Sequence, residues 1–227
     1  MMKKIHEVFP LIVYQGSLEC HEKIKEDKLE EVKKYWFNGY EYESPEASSR
    51  IFLHLNENYS ELFKNLRTIF DEYFDALNID YQKLNYHVVK SWVVYHKDDS
   101  TPALRPHKHN EANISFVYYL KTDETSDKLV VSQHPDTNVN QVCQGFFDTA
   151  DVHNIMTGYN RYNCNHYTIT PTEGSVIVMP SNTYHHTIKK VRERERVAIA
   201  GDVRVTLKPE HYKHHQGCTH PSQWREL

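Results

Sequence analysis

Two histidine clusters, His107-Lys-His109 and His185-His186, hold the side chains of this sequence most able to do chemistry. Neutral imidazole is the commonest side-chain metal ligand. His107 and His109 stand at i and i+2, so on an extended strand both rings leave the same side, one pleat apart. His185 and His186 are neighbours, so a strand sends them to opposite faces and only one can reach an ion shared with the first cluster. Each cluster borders an apolar run: Ile114-Ser-Phe-Val-Tyr-Tyr-Leu120 follows the first, and Gly174-Ser-Val-Ile-Val-Met-Pro-Ser181 precedes the second. Histidines carried this way on neighbouring strands can converge on one ion inside a barrel-like core, which points to an enzyme. The bland alternative is a pair of exposed histidine turns in a chain that has 16 histidines.

A third residue belongs with them. Arg196 opens the apolar strand Arg196-Val-Ala-Ile-Ala200, a short way past the second cluster. A guanidinium inside a barrel needs an anion, and its fork matches a carboxylate. The competing reading is a surface ion pair, because Arg192-Glu-Arg-Glu195 next door reads as a solvated charged turn.

The remaining pattern supplies elements to position these groups. Residues 17–37 read as a charged helix, with Ile24, Leu29, Val32 and Trp36 near helical spacing. Residues 58–77 read as a second helix. Asn58 and Glu61 suggest a capping box, and Leu62, Leu66, Ile69, Phe70, Tyr73, Phe74 and Leu77 form one apolar stripe. From residue 84 the pattern is β: 84–95, 114–120, 128–132, 167–170, 175–179, 186–191 and 196–207 are strand candidates, separated by turn-forming residues. Helices first and strands afterwards predict a mainly β, jelly-roll core with N-terminal helices packed on one face. The divisions are 1–80 for helical support, 84–206 for the core and 207–227 for a tail, all in one domain of 227 residues. The polar stretch 133–165 reads as a long functional loop, such as a lid over the barrel mouth.

Composition excludes several classes. The net charge of -4 argues against nucleic acid as a partner. No apolar run is long enough for a membrane span, and no apolar region follows the basic N-terminus. The four cysteines form no C-x-x-C pair, which suits a reducing, cytoplasmic setting. The tail His211-Tyr-Lys-His-His-Gln-Gly-Cys-Thr-His220 is histidine-rich but matches no closed zinc site.

These segments resemble the iron(II)/2-oxoglutarate-dependent oxygenase superfamily, in particular its 2OG-Fe(II) oxygenases of bacteria and phages. Residues 106–121 are similar to that family's His-x-His followed by Ser-Gly-x-Tyr-Tyr-Leu. Residues 173–185 are similar to its Glu-Gly-Asp, apolar run, Pro-Ser and histidine. Phe9-Pro10 and Ser91-Trp92 also fit, so the resemblance extends to about residue 206. It implies a double-stranded β-helix core, Fe(II) as metal and 2-oxoglutarate as co-substrate. It implies His107, His109 and His185 as metal ligands, Arg196 on the distal carboxylate of 2-oxoglutarate, and Tyr119 beside it, with Tyr95 as a further candidate. The implied activity is a dioxygenase of the hydroxylase type. It would use molecular oxygen on a C–H bond of a small molecule or a protein side chain, in a monomer or a homodimer.

The sequence departs from the pattern in two places. The superfamily's usual His-x-Asp or His-x-Glu is absent at His107-Lys-His109. His109-Asn-Glu111 restores it two residues later, so Glu111 stands as an alternative ligand to His109, and His186 as an alternative to His185. Ser115-Phe116 replaces Ser-Gly and puts a bulky ring near the strand's start. The rival reading is a cupin-type metalloprotein: an isomerase, a dioxygenase without 2-oxoglutarate, or a sugar-binding module. A cupin has no need of an Arg196–Tyr119 carboxylate clamp. A third class is a non-catalytic binding module on the same barrel.

Overall fold

The computed structural model describes residues 11–36, 52–96, 103–123, 128–132, 166–188, 195–212 and 220–225. Strand β1 (Tyr14–Ser17) leads into helix α1 (His21–Val32), and helix α2 (Ser60–Ala76) precedes the remaining strands. These are β2 (Leu84–His96), β3 (Ile114–Lys121), β4 (Lys128–Ser132), β5 (His166–Ile169), β6 (Ser175–Pro180), β7 (Tyr184–Ile188) and β8 (Arg196–Leu207). One sheet has the order β1-β6-β3-β8-β2, and a smaller one has β5-β4-β7, with every pairing antiparallel. The result is a mainly β jelly roll with helices on one face, as expected. The stretch 133–165 lies outside the described residues, as do Phe9-Pro10. Among the described residues, no helix is long and apolar enough to cross a membrane.

The large sheet separates two apolar clusters by strand parity. Phe116, Tyr118 and Leu120 of β3, Val176 and Val178 of β6, and Val197, Ile199 and Val203 of β8 face the helices. There they meet the α2 stripe of Leu62, Leu66, Ile69, Phe70, Tyr73 and Phe74. Each such side chain contributes ~1.5–3 kcal/mol on burial, enough to dock a helix of ordinary propensity. The alternate residues Tyr119, Ile177, Met179 and Ala198 face the smaller sheet, where they join Leu129, Val131 and Ile169. This inner face carries the site.

Several local expectations need correction. The Asn58–Glu61 capping box does not form. Asn56 caps a preceding 3-10 turn by accepting from Asn58 N at 3.0 Å, while Glu61 accepts from Lys23 Nζ at 3.0 Å. Strand β7 begins at Tyr184 rather than 186, so His185 is itself a strand residue. Phe116 does not crowd the inner face. It points at the helices between Phe63 and Phe70, and its register partner Gly201 makes room for it. A Cβ at Gly201 would lie 2.6 Å from the Phe116 ring and 2.8 Å from the Lys90 carbonyl. Gly174 takes φ +81 at the entry to β6, the left-handed turn that glycine permits.

Glu195 is not a solvated turn residue. It accepts hydrogen bonds from Lys121 Nζ at 2.6 Å, Lys33 Nζ at 2.9 Å and the Tyr95 hydroxyl at 3.1 Å. A bulge in β3 between Tyr119 and Lys121 makes this possible, because the irregular register turns Lys121 to the helix side. Burial opposes its charge, yet the three donors hold the carboxyl down to about 2. A depressed carboxyl stabilises the fold above its unfolded value near 4.5 and loses that contribution as pH falls toward 2. Glu195→Gln should therefore lower the melting temperature by about 5 °C at neutral pH. The difference from wild type should shrink on acidification below pH 4.5 and vanish near pH 2 in melting curves recorded against pH. A difference that persists unchanged at pH 2 would show that packing, not charge, holds this corner.

Candidate metal and carboxylate site

The two histidine clusters meet. His107 and His185 lie directly opposite each other as an isolated antiparallel bridge, exchanging both amide hydrogen bonds at 2.9 Å. His109 N donates to Ser181 O at 2.8 Å, and Ser181 N donates to Asn113 O at 3.0 Å. The segment before β3 is thus stitched to the β6–β7 turn. One ring nitrogen from each of His107, His109 and His185 lies within 4.8 Å of the others, and this trio could hold a metal ion. The ring centroids are 4.4 to 5.3 Å apart.

Hydrogen bonding decides which nitrogen each ring offers. His107 Nδ1 lies 2.7 Å from the Arg105 carbonyl, His185 Nδ1 lies 2.9 Å from the Thr183 carbonyl, and His109 Nδ1 lies 2.5 Å from Asp202 Oδ1. A carbonyl oxygen can only accept, so Nδ1 of His107 and His185 must carry the proton. Their Nε2 lone pairs are then free for an ion, and the same holds for His109 on an ionised Asp202. Histidines that ligate metals are usually anchored this way. Burial lowers the affinity of His185 for a second proton, as do the neighbouring imidazoles, and holds its pKa near 4. His107 is shifted downward for the same leading reason. Both rings are neutral lone-pair donors at physiological pH.

The alternative ligands lie elsewhere. The Glu111 carboxylate is 73% exposed and bonds Lys90 Nζ at 2.9 Å. His186 points to the opposite face of β7 from His185, in register with Val130 of β4. Strand alternation separates the histidine pair, and the outward course of the chain at 110–111 carries Glu111 away.

Arg196 and Tyr119 occupy the same inner face. Arg196 is 2% exposed and Tyr119 is fully buried. The guanidinium carbon lies 5.1 Å from the centre of the Tyr119 ring. Among the described residues, Nε and Nη1 of Arg196 and the Tyr119 hydroxyl have no hydrogen-bond partner. Burial raises the Tyr119 phenol pKa, and the nearby guanidinium offsets this in part. Tyr95 does not join them. Its position on β2 faces the helices, its ring packs against Trp36, and its hydroxyl donates to Glu195. Between Arg196 and Asp202 on the inner side of β8 stand only Ala198 and Ala200, the least bulky floor available between guanidinium and histidines.

Sequence reasoning gave no role at the site to three inner-face residues, Asp202, Ser115 and Trp92. Asp202 accepts from His109 and from Ser115 Oγ, at 2.6 Å for the latter. The Trp92 ring centroid lies 5.6 Å from that of His109. A usable signal existed for Asp202: it is a lone acid in an apolar strand, at the same parity as Arg196.

Fold and site together give a jelly-roll protein in which three histidines could hold a metal ion and a buried arginine lies on the same inner face. The chain belongs to the family described as putative 2OG-Fe(II) oxygenase, whose profile matches residues 90–202. No curated protein sequence matches it. Among solved structures, the apo form of the non-heme monooxygenase ThoJ aligns at a TM-score of 0.53 and 14% identity, over 88% of this chain and 75% of that one. The non-heme α-ketoglutarate-dependent epimerase SnoN from nogalamycin biosynthesis aligns at 0.52 and 10% identity, over 88% of this chain and 82% of that one. At such identities the likeness is one of fold. An oxidoreductase of the 2OG-Fe(II) oxygenase family from Burkholderia pseudomallei aligns at a TM-score of 0.37 and 16% identity over 58% of this chain; the match spans 49% of that protein. Fe(II) and 2-oxoglutarate are the groups this family name carries, and the residues present fit both. The three imidazoles can hold the ion, and the orphaned guanidinium suits a carboxylate.

Proposed function

We propose that this protein is an Fe(II)/2-oxoglutarate-dependent oxygenase of the hydroxylase type, acting on a C–H bond of a small molecule or a protein side chain. When bound, Fe(II) and 2-oxoglutarate supply oxygen activation coupled to oxidation of the keto acid to succinate and carbon dioxide. His107, His109 and His185 would hold the ion through Nε2, leaving positions open for the keto acid and oxygen. Arg196 would bind the distal carboxylate, with the Tyr119 hydroxyl as a second donor. Ile177, Met179, Leu129 and Val131 keep water from the surroundings of that pair.

The observation that carries this reading is a buried guanidinium, two of whose nitrogens have no partner among the described residues, on the face that also carries the histidines. An uncompensated buried charge is strongly unfavourable, so its retention implies an anion that arrives with a ligand. The cupin reading gives such a group no role. The test is an anaerobic titration of the protein with Fe(II) and then 2-oxoglutarate, followed by visible absorption. A charge-transfer band that saturates at one keto acid per chain is expected. Iron binding without the band would overturn keto-acid chelation and favour a cupin-type site. Absence of iron binding would favour a barrel used only for recognition.

A further inference from the structure

Asp202 raises a question that the three-histidine site does not answer. It is 6% exposed, and its carboxylate takes a hydrogen bond from the Ser115 hydroxyl at 2.6 Å and one from His109 Nδ1 at 2.5 Å. Among the described residues, no lysine or arginine pairs with it. Its described partners are a hydroxyl and one imidazole nitrogen, with no permanent cation among them. A cation held by the imidazole trio that includes His109 would supply a counter-charge.

The three anchors of the histidines are also unequal. His107 and His185 donate to backbone carbonyls, whereas His109 donates to a carboxylate. A carboxylate attracts the Nδ1 proton and makes the opposite nitrogen a stronger, more anionic donor. His109 is the residue that occupies the place of the usual carboxylate ligand, and Glu111, the other acid nearby, is engaged by Lys90 at the surface.

We infer that Asp202 is the carboxylate of this metal centre, displaced outward by one hydrogen bond, so that the Asp202–His109 pair does the work of a single anionic ligand. Asp202 is a positioning residue: it fixes the His109 tautomer and charges its Nε2 without touching the ion. Ser115 donates to the same oxygen, Oδ1, that faces His109 Nδ1, and so helps to orient the carboxylate. The inference rests on the three-histidine site of the proposed function but not on the keto acid.

The test uses Co(II) as probe, because its visible ligand-field spectrum reports donor strength without any turnover. Asp202→Asn keeps the size and a hydrogen-bonding oxygen but removes the charge. It should weaken Co(II) binding ~10- to 100-fold and shift the Co(II) bands, while the melting temperature of the metal-free protein is unchanged or rises. Asp202→Glu should recover part of the affinity. Ser115→Ala, which leaves the carboxylate in place, should keep affinity within ~3-fold and guards against a loss caused by altered packing between β3 and β8. Wild-type affinity and spectrum in Asp202→Asn would overturn the inference, and so would equal losses in Asp202→Asn and Ser115→Ala. Failure of the wild type to bind Co(II) would overturn both this inference and the metal site of the proposed function. A normal Co(II) result without a keto-acid band in the iron titration would remove only the 2-oxoglutarate reading.

Discussion

Arg196→Met will weaken 2-oxoglutarate binding by one to several orders of magnitude and at the same time raise the melting temperature of the ligand-free protein. The opposite signs follow from one observation. The guanidinium is 2% exposed, and two of its nitrogens have no partner among the described residues. Without a ligand it bears the desolvation of a charge beside Tyr119, whose ring centre lies 5.1 Å from the guanidinium carbon. A desolvated cation–π contact returns ~2 kcal/mol at most, less than the several kcal/mol that burying an ion costs. Methionine fills a similar volume without that cost, so the metal-free protein should gain about 1–4 kcal/mol. With 2-oxoglutarate present the balance reverses. Losing one partner of a buried charge pair removes about 2–5 kcal/mol, a rise in Kd of roughly 30-fold to several thousandfold. Metal affinity should be untouched, because among the described residues Arg196 is not hydrogen-bonded to His107, His109 or His185. Calorimetric melting and the keto-acid titration check the two halves. A variant that loses stability and iron binding together would show Arg196 to be a structural residue.

The second large effect separates neighbours in sequence. His185→Ala should remove metal binding, whereas His186→Ala should leave it intact. His185 is 6% exposed, faces His107 and His109, and has its Nδ1 tied to the Thr183 carbonyl. His186 lies on the other face of β7, beside Val130. If a four-ligand zinc site is worth about 10–16 kcal/mol, one ligand accounts for ~3 kcal/mol, or two orders of magnitude in affinity. Co(II) titration of each variant measures this directly. Glu111→Gln serves as a control and should bind as wild type does, since its carboxylate is held by Lys90. Equal behaviour of the two histidine variants would mean that β7 presents its faces differently.

Much of this architecture was legible because the two periodicities of backbone structure are local properties. The apolar stripe of α2, the bounds of β4 and β8, and the shared side of His107 and His109 all follow from spacing alone. The exclusion of one member of the His185-His186 pair was legible too, though not which one. The end of the strand at 184 decided that, and it depends on the bridge to His107. Tyr95 was misassigned because parity along β2 sets its side only once β2 is registered against β8, where it falls opposite Val197 on the helix face. Phe116 looked intrusive for the same reason, until its register partner proved to be Gly201.

By itself the sequence determined most of the elements, though not β1 or the start of β7, the parity of each side chain within its strand, and three residue types at the site: imidazole, guanidinium and phenol. Only the tertiary structure decided which carboxylate serves the histidines. The sequence offers Glu111 two residues from His109, and the fold brings Asp202 from 93 positions away instead. Hydrogen-bond register between β3 and β8 sets that choice, because it places Ser115 opposite Asp202 on the inner face. A slip of one residue would turn Asp202 toward the helices and leave His109 without its anchor.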